Sequence, residues 1–248
     1  MPEVRELATI ILAAGQGKRM KSDLPKVLHP IGGEPMLLHV IRQAKSSGAK
    51  RIVVIVGHKR ELVIPVVEQA GVDHAYQDQL LGTGHAAMMS EPALKDHDGE
   101  ILVLSGDVPL LSEETIRRVV EYHRQKKVIA TVITAEAPDP TGYGRVLRDD
   151  DGKVVAIREH KDCSDEEREI KEINSGIYLY DAKHLFPALH ALSNDNSQGE
   201  YYLTDVFEAF FKKNMPVAAW KADFAEIHGV NTVHDLEEAE QIWRERQE

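Results

Sequence analysis

Cysteine is almost absent from this chain: Cys163 is alone among 248 residues, so no internal disulfide forms and the composition fits a reducing compartment. It lies in the charged stretch HKDCSDEEREIKE and reads as an incidental thiol. Basic residues are in deficit, 30 Lys and Arg against 41 Asp and Glu, and are dispersed among the acids rather than clustered. A net charge of -11 argues against a nucleic-acid surface, so any polyanionic partner is expected to be small. Long apolar runs are missing too, which gives no membrane span, and the leading MPEVREL lacks a signal-peptide core. A cytoplasmic protein with no membrane partner is the expectation. No HExxH or paired Cys/His spacing offers a zinc site, and no internal repeat or low-complexity linker divides the chain.

What is present is 42% hydrophobic content, enough for one large core, so a single domain is the default. Apolar, β-rich runs recur at ATIILAA, RIVVIVG, ILVLSG and VIATVITA. Between them lie PMLLHVIRQAKSSG, KRELVIPVVEQAG, GHAAMMSEPALK and SEETIRRVVEYHRQ, each with helical spacing. This alternation predicts an α/β fold with a mostly parallel sheet covered by helices on both faces. Ser112 has the pattern of a helix N-cap, with Thr115 instead of Glu at the third position. From about 137 to 205 the rhythm shifts to turn residues and short alternating strands, predicting an inserted antiparallel lobe, and about 232–247 is predicted to be a terminal amphipathic helix.

In open α/β sheets ligands sit beyond the carboxyl ends of the strands. Residues 8–26, ATIILAAGQGKRMKSDLPK, place a glycine turn after the first strand and bring Arg19 and Lys26 to its mouth, an arrangement suited to a nucleotide's phosphates. A P-loop is excluded by Leu12 and Arg19, and a dinucleotide fingerprint by Met20. Gln77, Gly82 and Thr83 offer donors and acceptors suited to a base edge. Asp107 follows an apolar strand, where a hard cation bridging phosphates is held. Tyr143, Gly144, Glu159 and Asn174 form a fourth group able to line sugar hydroxyls. Each taken alone has a structural explanation as a turn, a cap or a solvated charge; their coincidence at strand ends is the evidence.

The motifs LAAGQGKRM, DLPKVLHPIGG, LGTGHA, GDVPL, DPTGYGR, EHKD, INSGIY, QGEYYLTD and GVN follow one another in this order. In this the chain closely resembles, from about residue 7 to 235, the uridylyltransferase half of the bacterial bifunctional enzymes that make UDP-N-acetylglucosamine, within the sugar-nucleotidyltransferase superfamily. The resemblance implies a Rossmann-like, nucleotide-diphospho-sugar transferase fold carrying a sugar-binding lobe. It implies that Ala13, Ala14 and Gly15 present backbone to uracil and ribose, and that Gln77, Gly82 and Thr83 complete base recognition. Arg19 and Lys26 match the family's phosphate-binding cations, and Asp107 and Asn231 its two Mg2+ ligands. Gly142 aligns with a backbone contact to the sugar, and Glu159 and Asn174 with the residues that hold its hydroxyls.

Two positions depart from the family pattern. Ser105 stands where a tyrosine often precedes Gly-Asp, altering the wall of the sugar pocket, and Leu80 replaces a frequent polar residue before LGTGHA. The β-helix acetyltransferase half that usually follows is not in this sequence, and a monomer or weak dimer is expected without it. The expected activity is Mg2+-dependent transfer of UMP from UTP to N-acetylglucosamine 1-phosphate. A UTP- or dTTP-dependent glucose-1-phosphate nucleotidyltransferase, or a non-catalytic sugar-nucleotide sensor, remain the alternatives.

Overall fold

The computed structural model describes residues 5–247. In chain order the strands are β1 (Leu7–Ala13), β2 (Pro30–Ile31), β3 (Glu34–Pro35), β4 (Arg51–Val56), β5 (Asp73–Tyr76), β6 (Glu100–Ser105), β7 (Ala130–Glu136), β8 (Arg145–Arg148), β9 (Val154–Arg158), β10 (Glu172–Asp181) and β11 (Val217–Lys221). The main sheet runs β11-β7-β10-β6-β1-β4-β5, while β2 and β3 form a small separate hairpin. Neighbours are parallel except at β10, which is antiparallel to both β6 and β7.

Period-two alternation along β1 explains how both faces are filled. Leu7, Ile11 and Ala13 enter one core cluster and Ala8 and Ile10 the other. Helices Met36–Ser46, Arg60–Gln69 and Glu113–Lys126 cover the first face through Leu37, Val40, Val63, Val67, Ile116 and Val119. Thr83–Met88, Ala182–Leu189 and Asp205–Lys212 cover the second through Ala86, Ala87, Leu185, Val206 and Phe207. The mostly parallel, doubly covered sheet expected from the sequence is therefore the observed one.

Several elements differ from the sequence reading. GHAAMMSEPALK forms two short helices, Thr83–Met88 and Glu91–Leu94, because Pro92 has no N–H and its ring collides with a continuing turn. The stretch 137–205 does not stay together as one lobe. β8, β9 and helix Asp165–Arg168 lie off the main strand path, whereas β10 enters the sheet between β6 and β7. Ile173, Ile177 and Leu179 on one side and Tyr178 and Tyr180 on the other are all buried, which demands a covered central position. The C-terminal helix spans Val233–Glu245 and packs Leu236, Ala239, Ile242 and Trp243 on Ile31, Met36 and Leu110.

β1 is flanked by β4 on one side and β6 on the other, so the chain leaves its first strand in one direction and returns in the other. The carboxyl ends of β1 and β6 therefore border a switch point, where an α/β sheet opens a crevice.

Candidate active site

Two clefts open at that switch point. One, of about 500 Å³, is lined by Ala13, Ala14, Gly15, Lys26, Gln77, Gly82, Thr83 and Asp107. The other, of about 310 Å³, is lined by Arg19, Gly142, Tyr143, Glu159, Asn174 and Asn231. Leu12, Thr83 and Ser105 belong to both, so the clefts share a wall. Every residue singled out from the sequence lies on one cleft or the other.

Local sequence explains the first wall. After β1 the carbonyls of Leu12 and Ala14 accept from Gly106 and His58, tying the loop to its neighbours. Among the described residues the N–H groups of Gly15, Gln16 and Gly17 find no backbone acceptor, which leaves them for a ligand. Gly17 has φ +59, and a Cβ there would stand 2.7 Å from the Cβ of Lys26. Only glycine lets the loop turn and Lys26 pass beside it. Across the cleft Gly82, at φ +105, places its Cα where a Cβ would meet the carbonyl of Tyr201 at 2.6 Å. That close approach seats the LGTGHA turn on the 200–203 segment, where Leu203 N–H donates to Thr83 Oγ1 at 3.1 Å.

At the seam the charged groups converge. Lys26 Nζ donates to Asp107 Oδ2 and, at 3.0 Å, to Asn231 Oδ1. Arg19 Nη2 reaches the same Asn231 oxygen at 2.8 Å. Asn231 is itself held: its N–H donates to Asp235 Oδ2 at 2.8 Å and its Nδ2 to the Gly229 carbonyl at 3.0 Å, while Val230 N–H donates to the Asp107 carbonyl at 2.8 Å. Asp235 belongs to a capping box with Thr232 at the start of the C-terminal helix, so that helix fixes where Asn231 points.

The second cleft is preorganised by internal hydrogen bonds. Glu159 Oε1 accepts from the Thr204 hydroxyl at 3.0 Å, and burial raises its pKa, with nearby carboxylates adding to the effect and Thr204 opposing it. Asn174 donates to the Tyr178 hydroxyl at 2.7 Å and accepts from Gly176 N–H at 3.1 Å. Tyr143, pushed up to about 12 chiefly by burial, packs edge-on against Phe224 at 6.1 Å. Ser105 Oγ lies 3.4 Å from the Gly176 carbonyl.

Sequence reasoning located these side chains but not all their bonds. The amide nitrogen of Gln77 is engaged with the Gly82 carbonyl at 2.9 Å and His85 Nδ1 at 3.1 Å, so Gln77 also braces the turn. Glu200, on the larger of these two clefts beside Gly82, was missed. Its signal lay in QGEYYLTD, whose long separation from LGTGHA conceals their contact.

Comparison with known proteins places the chain in a family. The model of the MobA-like NTP transferase domain matches residues 9–207. The bifunctional protein GlmU of Streptococcus mutans is 48% identical over 96% of this chain and 52% of its own length. That of Acetivibrio thermocellus is 49% identical over 97% of this chain and 52% of its own. The chain thus spans about half the length of the curated relatives it matches. Among solved structures, a putative glucose-1-phosphate thymidylyltransferase from Bacillus anthracis superposes with TM-score 0.77 at 24% identity, covering 95% of this chain and 94% of that one. A UDP-glucose pyrophosphorylase superposes with TM-score 0.76 at 17% identity, covering 98% and 100%. At these identities the superpositions establish the fold.

Proposed function

The chain belongs to the MobA-like NTP transferase family, and from that premise we propose that it transfers UMP from UTP to N-acetylglucosamine 1-phosphate, releasing pyrophosphate. One observation carries the reading. Arg19, Lys26, Asp107 and Asn231 meet at the seam between a cleft framed by nucleotide-type loops and a cleft framed by hydroxyl-binding side chains. A reaction joining a nucleotide to a sugar phosphate needs its charged groups at that boundary.

The divalent cation implied by the family fits the residues present. A carboxylate oxygen of Asp107 and an amide oxygen of Asn231 already converge on one cationic atom, Lys26 Nζ, and two hard oxygens from unlike groups suit Mg2+. Asp107 and Asn231 would hold the ion, which when bound neutralises phosphate oxygens and orients them.

The acceptor brings its own anionic phosphate oxygen, so no side chain has to remove a proton. That oxygen forms a bond to the α-phosphorus of UTP as the bond to the pyrophosphate oxygen breaks, and the electron pair leaves with pyrophosphate. Arg19 and Lys26 supply fixed positive charge where negative charge gathers, and the free N–H groups after β1 add oriented dipoles. Glu159 and Asn174, locked by Thr204 and Tyr178, hold the sugar so that the two reactants are aligned. In this reading the protein works in the cytoplasm on small molecules only; no described helix is long and apolar enough to cross a membrane.

The deciding experiment measures pyrophosphate release across UTP, CTP, dTTP, ATP and GTP with N-acetylglucosamine 1-phosphate and glucose 1-phosphate. UTP with N-acetylglucosamine 1-phosphate is expected to have the highest kcat/KM. Equal rates with ATP would overturn the base assignment, a preference for glucose 1-phosphate would favour the glucose enzyme, and no release with any pair would leave a sensor.

A further inference from the structure

A glutamine reads a base through whichever end of its amide it turns outward, and neighbouring side chains decide that end for Gln77. The residue follows β5 at the carboxyl edge of the sheet, its N–H donating to the Val56 carbonyl at 2.8 Å, and it lines the larger of the two clefts at the switch point. It is 4% exposed, so its side chain has little freedom. Nε2 lies 2.9 Å from the Gly82 carbonyl and 3.1 Å from His85 Nδ1. A carbonyl oxygen only accepts, so the atom facing Gly82 is the amide nitrogen, and its second hydrogen goes to His85. His85 Nδ1 is then an acceptor, which leaves the ring proton on Nε2. Burial favours the same neutral ring by holding His85 below the ordinary histidine value, against the opposing effect of a hydrogen bond with the Gln79 backbone.

Both donors of the amide are thereby spent inside the protein. Oε1 accepts from none of the described residues and keeps contact with solvent, so Gln77 presents an acceptor to the cleft. Turning the amide over would set Oε1 against the Gly82 oxygen and His85 Nδ1, two acceptors, and leave the N–H groups facing the cleft. His85 is held at its post. Its helix, Thr83–Met88, is pinned where Gly84 N–H donates to the Tyr201 carbonyl at 2.8 Å and the Leu81 carbonyl accepts from Tyr201 N–H at 2.8 Å. The Tyr201 ring itself lies 6.5 Å from the imidazole, centre to centre.

We propose that His85 is a positioning residue for base selection: as an acceptor at Nδ1 it holds the Gln77 amide with Oε1 toward the bound base, where Oε1 meets a pyrimidine whose N3 carries a hydrogen. Uracil has that hydrogen. Cytosine has a lone pair at N3, which would face Oε1 as acceptor against acceptor. The inference rests on the nucleotide reading of the larger cleft and adds to it a side chain that acts only through Gln77.

Calorimetric titration of UTP and of CTP into the full chain gives the ratio of their Kd values without requiring any transfer. His85→Leu, which removes the acceptor, is expected to shrink the preference for UTP by at least about tenfold, since a polar mismatch in a site built to bond a base discriminates more strongly than packing does. His85→Asn, whose Oδ1 can stand where Nδ1 does, is expected to restore most of that preference. Imidazole nitrogen NMR of the unaltered chain is expected to show His85 with Nδ1 bare and Nε2 protonated at neutral pH, a readout that stands even where a variant fails to fold. A preference for UTP that His85→Leu leaves intact, an Asn variant no better than the Leu one, or a proton on Nδ1 would overturn the inference and leave the nucleotide reading in place. Binding of neither nucleotide to the unaltered chain would overturn the nucleotide reading and the inference with it, whereas equal affinity for both would overturn the inference alone.

Discussion

Asp107 and Asn231 share the ammonium of Lys26, and that ammonium is only partly screened, with 15% of its side chain exposed. A charge so placed acts on whatever anion enters the seam. Lys26→Ala is therefore expected to lower kcat/KM by at least about a hundredfold, the scale of losing one preorganised electrostatic group. The melting temperature should fall by no more than about 4 °C, since roughly 1 kcal/mol moves a chain of this size by that much. Steady-state kinetics beside thermal melting checks both, and unchanged kcat/KM would remove Lys26 from the chemistry. Ser105 poses a question of selectivity. It borders both clefts and faces the Gly176 carbonyl, so a tyrosine there would narrow the shared wall. Ser105→Tyr is expected to raise the preference for N-acetylglucosamine 1-phosphate over glucose 1-phosphate by about tenfold, within the range packing alone supplies. Competing-substrate assays give that ratio directly.

Among the elements, the C-terminal helix does more than close a core cluster. Its capping box turns the Asp235 carboxylate onto the N–H groups of Asn231 and Thr232, at 2.8 and 2.9 Å. Asp235→Ala is expected to cost about 1 kcal/mol as a lost cap and to raise the Mg2+ concentration for half-maximal rate by about tenfold or more. Magnesium titration of activity checks the second effect; an unchanged half-maximal concentration would detach the helix from the metal site. The same scale shows what was legible beforehand. β1, β4, β6 and β7 were readable because each is a buried apolar run. β5 and β11 were not, because they form the two edges of the sheet: DHAY is largely polar, and VAAWK, though apolar, is short and only half-buried. Ser112 was legible as a cap and accepts from Thr115 N–H at 3.1 Å. The acid missing from its capping pattern comes from afar: Ser112 N–H donates to Glu226 at 3.2 Å, a pairing no local pattern encodes. The same holds at the site, where Lys26, Asp107 and Asn231 were found by motif but their convergence needed the folded chain.

Across the whole molecule, stability should carry the signature of carboxyl groups whose pKa burial raises. Burial, with Glu208 and Asp162 adding to it, raises Asp205 to about 6, and burial raises Glu159 as well. A carboxyl whose pKa is higher folded than unfolded favours the fold fully below its unfolded value. That contribution is lost as pH rises through the folded value. For Asp205 the window runs from about 4 to 6. Because Asp205 is half-buried, solvent screening reduces the expected size to about 1 kcal/mol. Asp205→Asn should thus stabilise the protein at pH 7.5 and leave it nearly unchanged at pH 4, as denaturant melts at the two values would show. A gain of equal size at both would mean that ionisation plays no part.

The reversed direction of β10 has a consequence for how this architecture diversifies. β7 leaves the sheet and β10 re-enters beside it, with Glu136 opposite Glu172 and the Lys171 carbonyl accepting from Ala137 N–H at 3.1 Å. The excursion 137–171 is thus a long hairpin connection whose neck the β7–β10 ladder fastens. Doubling the length of such a loop costs only about 0.6 kcal/mol of closure entropy. Residues from this excursion, Gly142, Tyr143 and Glu159, line the smaller cleft, while the glycine loops of the larger one hang from other strands. On the proposed reaction, insertions here would reshape the smaller cleft and leave the glycine loops of the larger one in place, which makes the excursion the segment to exchange when a new acceptor is wanted.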